Sequence, residues 1–164
     1  MKKAIVIFLI LFAPYQLRAQ TTAERQRTPD ETAIIKIIEA ETQMYFLGDF
    51  KGWSSKWMHT DDAFWTAHSK DFNMYFVGWN NIESYLRGDI SYTKQQSKNN
   101  AIPFFINKNY KIRLQDNKMA WVIYDQEEQT GAVIRETRVL VKDNGEWKIL
   151  LMGAYTDADI KPDK

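Results

Sequence analysis

Apolar residues recur at helical spacing in the first half of the chain and at a period of two in the second. Ile34, Ile37, Ile38 and Tyr45, with Met44 beside them, form one stripe of a helix. Its start is readable in Thr28-Pro29-Asp30-Glu31. Thr28 is placed to cap, Pro29 takes the first helical position, where its missing N–H costs nothing, and Glu31 can reach back in a capping box. Gly48-Asp49 ends the helix, Gly48 being suited to a left-handed cap. Phe50, Trp53 and Trp57 at i, i+3 and i+7 predict a short second helix, mostly core packing. His59 to Asp62 reads as a turn, Ala63 to Ala67 as a strand, and Asn73 to Val77 as its hairpin partner. Ile82, Tyr85 and Leu86 begin a third helix capped by Asn80 or Asn81, and the polar stretch 91–100 is its end and a loop.

From Phe104 onward the alternation is that of strands. Tyr110, Ile112 and Leu114 alternate with Lys111, Arg113 and Gln115, and Asp116-Asn117 is a tight turn into a strand from Met119 to Asp125. A polar loop, Gln126 to Gly131, leads to a strand from Ala132 to Lys142. Asp143-Asn144-Gly145 turns into the last strand, Trp147 to Tyr155. Val139-Leu140-Val141 and Ile149-Leu150-Leu151-Met152 are apolar on both faces, and such strands need cover on each side. Helices cover one face; a second copy of the chain is the natural cover for the other, which predicts a homodimer through the sheet. The element order is α+β: about three helices from the N-terminal half packed on the concave face of a curved antiparallel sheet.

The first residues change how the 164-residue chain is counted. Met1-Lys2-Lys3, the apolar run Ala4 to Ala13, Pro14 and the small Ala19 before Gln20 read as a signal peptide over 1–19, too short to span a bilayer. Residues 20–29 read as a flexible leader whose last residues open the first helix, 30–156 as one domain, and 157–164 as a polar tail. Lys+Arg total 22 against 21 Asp+Glu, and losing Lys2, Lys3 and Arg18 leaves 19 basic residues, a charge of −2. No basic excess remains for nucleic acid, and no stable membrane anchor remains after cleavage. The expected location is the periplasm or outside the cell. Cys is absent and there are two His, which excludes disulfides, thiolate metal sites and a Cys nucleophile. No metal and no cofactor is expected.

The chain resembles the nuclear transport factor 2-like superfamily, in its SnoaL-like and ketosteroid isomerase-like small domains, as an exported bacterial member. The resemblance spans about residues 30–156. It rests on Gly48-Asp49 closing the first helix, Asp61-Asp62-Ala63 entering the hairpin, Gly78 before the helix containing Ile82, and Met119-Ala120-Trp121-Val122 in a middle strand. Thr137-Arg138-Val139-Leu140-Val141-Lys142 followed by Asn144-Gly145-Glu146-Trp147-Lys148-Ile149 adds the most. It implies a cone-shaped fold with a pocket between helices and sheet. In enzymes of this kind a pocket carboxylate or His moves a proton while a Tyr or protonated acid stabilises the enolate. Several related domains carry a His four or six residues after the last-strand Trp; this sequence has Leu151 and Gly153 there.

Among the residues themselves, Glu41 falls on the apolar stripe between Ile38 and Tyr45, at the pocket end of that face or at its wet edge. Arg135-Glu136-Thr137-Arg138 interrupts an apolar strand, with Glu136 and Arg138 on one face and Arg135 and Thr137 on the other. A pocket Arg favours a carboxylate-bearing ligand; the bland alternative is cross-strand pairing with Asp125 or Glu127. His59 and His68 flank the first strand as surface or loop residues. Aromatics make up 14% of the chain, enough to wall a pocket as well as fill a core. Tyr45, Trp57, Trp65, Trp121, Tyr124, Arg138 and Tyr155 are the candidate ligand-binding residues for a small apolar or aromatic molecule. The alternatives are a cofactor-independent isomerase or cyclase, with Glu41 or Glu136 as base and Tyr45 or Tyr124 as donor, and a protein-interaction domain with a filled pocket.

Overall fold

Residues 26–97, 105–128 and 131–156 are described in this computed structural model. The expected signal segment 1–19 and tail 157–164 lie outside them, as do parts of the loops expected at 91–100 and 126–131. Three helices, α1 (Pro29–Leu47), α2 (Phe50–Ser54) and α3 (Trp79–Ser97), accompany six strands. The strands are β1 (Phe64–His68), β2 (Asn73–Val77), β3 (Phe105–Gln115), β4 (Met119–Glu128), β5 (Val133–Asp143) and β6 (Glu146–Tyr155).

Helix α1 starts as its sequence directs. Glu31 N donates to Thr28 Oγ1 at 3.2 Å, and Thr28 N donates to Glu31 Oε2 at 2.7 Å, the two halves of a capping box. Gly48 closes it at φ +68°, and a Cβ placed there would lie 2.2 Å from Lys94 Cβ on α3. Glycine therefore serves both the left-handed cap and the close approach of two helices. Helix α2 is shorter than its aromatic spacing suggests and stops at Ser54. Trp57 sits beyond it in a parallel bridge to Ile149, with Met58 N donating to Ile149 O at 2.8 Å. Helix α3 begins at Trp79, ahead of the expected Asn caps, and Asn81 Nδ2 instead donates back to Val77 O at 2.7 Å.

The sheet runs in the order β2-β1-β6-β5-β4-β3. All neighbours are antiparallel except β1 and β6, which pair in parallel, so the sheet is mixed where a wholly antiparallel one was expected. The physical reason is connection length. A tight turn can join only antiparallel neighbours, whereas α3 and four strands separate β1 from β6 in the chain. The expected turns hold at Asp116-Asn117 (φ +49° and +52°) and Asn144-Gly145 (φ +48° and +87°), the left-handed pairs whose twist suits a hairpin.

Register shifts in β3, between Lys108 and Lys111, and in the β5–β6 pair, beside Leu140, bend the sheet around the helices. The second also explains the blurred alternation of the last strand. Ile149 pairs with Leu140 and Met152 with Arg138, so Leu150 is an extra residue and both Ile149 and Met152 lie on the helix side. That inner face carries Trp65, Val122, Tyr124, Leu140 and Ile149, packed on Ile34, Ile38, Trp53, Ile82 and Leu86 of the helices. On the opposite face Tyr75, Val77 and Trp121 are exposed.

Candidate functional site

Burial on the inner face is apolar except in one place. Glu41 of α1 and Glu136 and Arg138 of β5 are each at most 4% exposed. Their meeting follows from two periodicities. Glu41 is three residues past Ile38 on the core stripe of a helix, and Glu136 and Arg138 are two apart on one face of a strand. Helix α1 then packs on the sheet and sets the acid of one element against the base of the other.

Arg138 lies between the two carboxylates. Its Nη2 donates to Glu41 Oε2 at 3.2 Å, and its Nη1 is 2.6 Å from Glu136 Oε2. Glu41 Oε1 also accepts from Trp53 Nε1 at 2.6 Å and Trp57 Nε1 at 3.2 Å. Glu136 accepts from the Tyr124 hydroxyl at 2.8 Å on Oε2 and from Gln126 Nε2 at 3.2 Å on Oε1. An indole N–H needs a partner when buried, so the two Trp of the α2 region are held to α1 by one carboxylate oxygen.

Charge in so dry a place shifts proton affinities. Burial raises the Glu41 carboxyl above its ordinary value; Arg138 pulls against this, Glu136 adds to it, and the two indoles pull back without cancelling it. Burial likewise lifts the Tyr124 phenol well above its usual range; Arg138 pulls against this, and Glu136 and Glu41 add to it. Burial disfavours the Arg138 charge, but Glu136, Tyr124 and Glu41 more than offset it and the guanidinium is held more firmly protonated than usual.

A cavity of about 140 Å³ opens beside this group, between Tyr45 and Phe46 of α1, Trp53, Trp65 of β1, Ile134 of β5 and Met152 of β6. Glu41, Glu136, Arg138, Thr42 and Gln126 form its polar wall. Arg138 Nε and Nη1, both buried, make no hydrogen bond among the described residues, Nη1 meeting Glu136 as an ion pair only. A larger groove of about 850 Å³ lies over β3 and β4 around Arg113, Met119 and Trp121, outside the buried charge group.

The sequence matches no protein-family model and no curated protein. Solved structures do match. A nuclear transport factor 2-like protein of unknown function from Pseudomonas putida aligns at TM-score 0.60 with 15% identity, over 80% of this chain and 96% of that one. Another from Shewanella baltica aligns at 0.55 with 14% identity, over 84% and 100%. This chain has the nuclear transport factor 2-like fold. A candidate dehydratase with that fold, from Streptomyces avermitilis, aligns at 0.57 with 15% identity over 77% and 95%. At such identities the likeness concerns the fold, and function must be argued from the site.

Within the nuclear transport factor 2-like fold the residues singled out from sequence fall into three groups. Glu41, Tyr45, Trp65, Glu136 and Arg138 meet at the cavity. Trp57 and Tyr124 are buried behind it, each holding one of the carboxylates. Trp121 and Tyr155 lie elsewhere: Trp121 is 54% exposed on the outer face, and Tyr155 is 49% exposed and stacks on His68. Strand alternation explains both, because Trp121 is one residue from inward-facing Ala120 and Val122, and Tyr155 one from inward-facing Ala154.

Tyr45 lines the cavity, but its hydroxyl donates to Asp89 Oδ2 on α3, and burial with this carboxylate raises its proton affinity. Of the Arg pair, Arg135 takes the cross-strand role, its Nε donating to Asp125 Oδ1 at 3.1 Å. His59 is exposed and stacks on Trp79 at 4.0 Å. Trp53, Gln126 and Thr42 escaped the sequence reading as site residues. For Trp53 a signal existed, since it shares the aromatic stripe with Trp57; Gln126 was hidden by being read as loop.

Proposed function

We propose that this domain binds a small molecule in the cavity between α1 and the inner sheet face. The observation that carries the reading is a space of about 140 Å³ with aromatic walls, bordered by the buried Glu41–Arg138–Glu136 group. A largely apolar space with a few convergent polar groups on one wall is the form small-molecule sites take. An apolar cavity of about 150 Å³ accepts benzene, so the ligand has the size of a single ring. The open space speaks against the alternative of a docking domain with a filled cone. Native mass spectrometry of the purified protein, and titration with single-ring probes followed by indole fluorescence of Trp53 and Trp65, test the reading. Probe binding that Ile134→Trp abolishes by filling the space supports it; no binding, or binding untouched by that variant, overturns it.

A second reading, acid–base catalysis, is favoured by the raised proton affinity of Glu41 on the cavity wall. The carboxylate accepts three hydrogen bonds and keeps capacity for a fourth, so a substrate proton within reach has an acceptor. Turnover of an identified ligand that survives both Glu41→Gln and Glu136→Gln sinks this reading. Export completes the proposal: cleavage after Ala19 places the domain in the periplasm or outside the cell, which N-terminal sequencing of the secreted material checks. The outer sheet face, where Trp121 and Ile123 are exposed, is proposed to pair with a second copy.

A further inference from the structure

The sheet ends in two edge strands, β2 and β3, and they are guarded differently. Strand β3 carries Lys108, Lys111 and Arg113 and shifts register between Lys108 and Lys111. Charges and bulges of this kind keep an edge from pairing with another chain. Strand β2, from Asn73 to Val77, has no charged residue, no proline and no register shift. The bonds around it show where its backbone groups point. Ser69 N donates to Phe72 O at 2.9 Å and Gly78 N to Ala63 O at 2.8 Å. Antiparallel pairs alternate between bonded and non-bonded, so Met74 and Phe76 turn their N–H and C=O toward β1. Asn73, Tyr75 and Val77 therefore turn theirs outward, and the bond from Asn81 Nδ2 to Val77 O at 2.7 Å agrees. All three residues are exposed, Tyr75 at 64%, and β1 is the sole strand that β2 meets among the described residues.

Helix α3 runs beside this edge. Asn81, Tyr85 and Gly88 recur at i, i+4 and i+7 and form one uncharged stripe. Tyr85 stacks on Phe76 of β2 at 4.6 Å and its hydroxyl donates to Met74 Sδ at 3.7 Å, so the stripe lies along the edge. A Cβ at Gly88 would meet nothing within 4 Å, which leaves that part of the helix open. Between strand and stripe runs a groove of about 590 Å³ lined by Tyr75, Phe76, Val77, Asn81, Ser84 and Tyr85, none of them charged. A row of outward N–H and C=O groups is matched by another extended backbone, and a charged side chain entering the groove would find no partner. We propose that β2 is a docking edge, where an extended peptide segment of a partner protein adds a seventh strand to the sheet and turns uncharged side chains toward α3. A second copy of β2 would present Met74 and Phe76 to that side, and both are already packed on their own core, so the groove would stay unfilled. The edge lies outside the cavity of the ligand-binding reading and does not depend on it.

Selection of a phage-displayed library of random heptapeptides on the wild-type protein, in parallel with Tyr75→Pro, tests the proposal. Proline there removes an N–H that points away from β1, and edge strands tolerate it. Enriched peptides are expected to lack Asp, Glu, Lys and Arg at one alternate set of positions and to bind Tyr75→Pro at least about tenfold more weakly. Strand addition also uses every second amide of the peptide. N-methylation of one alternate set of its amides should cost at least about tenfold on the wild type, and of the other set less than about threefold. No enrichment, charges at both alternate sets, binding that survives Tyr75→Pro, or equal losses from the two methylated sets each overturns the docking edge. Where Tyr75→Pro fails to fold, the two methylated peptides decide the matter on the wild type alone. A wild-type dimer mass that Tyr75→Pro lowers to that of a monomer assigns the edge to a second copy and overturns the proposal too.

Discussion

Replacing Arg138 with Met keeps an unbranched apolar stem, shortens the side chain by most of the guanidinium and removes the charge that holds two acids together. The guanidinium is 3% exposed and pairs at 3.2 Å with Glu41 and 2.6 Å with Glu136, so both carboxylates lose their compensation at once. Breaking a buried pair by deleting one partner costs about 3–5 kcal/mol. Against a total stability of roughly 5–15 kcal/mol this is about a fifth or more of what holds the domain folded. Urea denaturation followed by intrinsic fluorescence measures it, and a thermal midpoint lower by about 10–20 °C accompanies it.

The pH dependence gives the reasoning a sharper edge. Without Arg138 the folded-state proton affinity of Glu41 rises further above that of the unfolded chain. Its penalty is then absent below the unfolded value and grows as pH rises toward the folded one. The variant should therefore lose less stability at about pH 5 than at about pH 8. Adding Glu41→Gln and Glu136→Gln to Arg138→Met should restore much of the loss, because an uncharged buried cluster needs no ion pairing. A loss below about 1 kcal/mol at pH 8, or one independent of pH, refutes the account of Arg138 as the compensating charge of the site.

Three further predictions follow from the same geometry. In the wild type, the folded-state value of Glu41 lies above its ordinary 4.5, so its contribution to stability is complete below that pH and declines as pH rises. Glu41→Gln should flatten the stability–pH profile above about pH 4.5, and unfolding curves taken across that range check it. Gly48→Ala forces a Cβ to 2.2 Å from Lys94 Cβ at φ +68° and should destabilise by more than about 1 kcal/mol in urea titration, since an Ala at positive φ is strained even without the clash. On the proposed pairing through the outer sheet face, Trp121→Asp there should leave the folded far-ultraviolet spectrum intact and lower the mass seen by light scattering from that of a dimer to that of a monomer. An unchanged dimer mass would place any self-association elsewhere.

Much of the fold was legible because its signals are local. The capping box at Thr28 and Glu31, the left-handed Gly48, and the turns at Asp116-Asn117 and Asn144-Gly145 depend on a few neighbouring residues and appear where the sequence puts them. The face assignment in β5 was legible to the same degree: alternation placed Glu136 and Arg138 together and left open only which face was inward. The reach of α2 and the start of α3 were misjudged by a turn or less. An apolar spacing marks a buried face and does not show whether helix or extended chain delivers the residues to it, as Trp57 demonstrates.

By itself the sequence determined the element order, the caps of α1, the hairpin turns and which residues of each strand travel together. Each of these is set within a few residues by backbone sterics and side-chain period. The tertiary structure alone decided that β1 joins β6 in parallel, that Leu150 is an extra residue, and that Trp121 and Tyr155 face away from the cavity. It alone also brought Glu41 to Arg138, 97 residues apart in the chain. No period links positions so distant, and only the packing of α1 on the inner sheet face makes them neighbours. That packing turned an arginine that reads as an anion receptor into a guanidinium held between two acids.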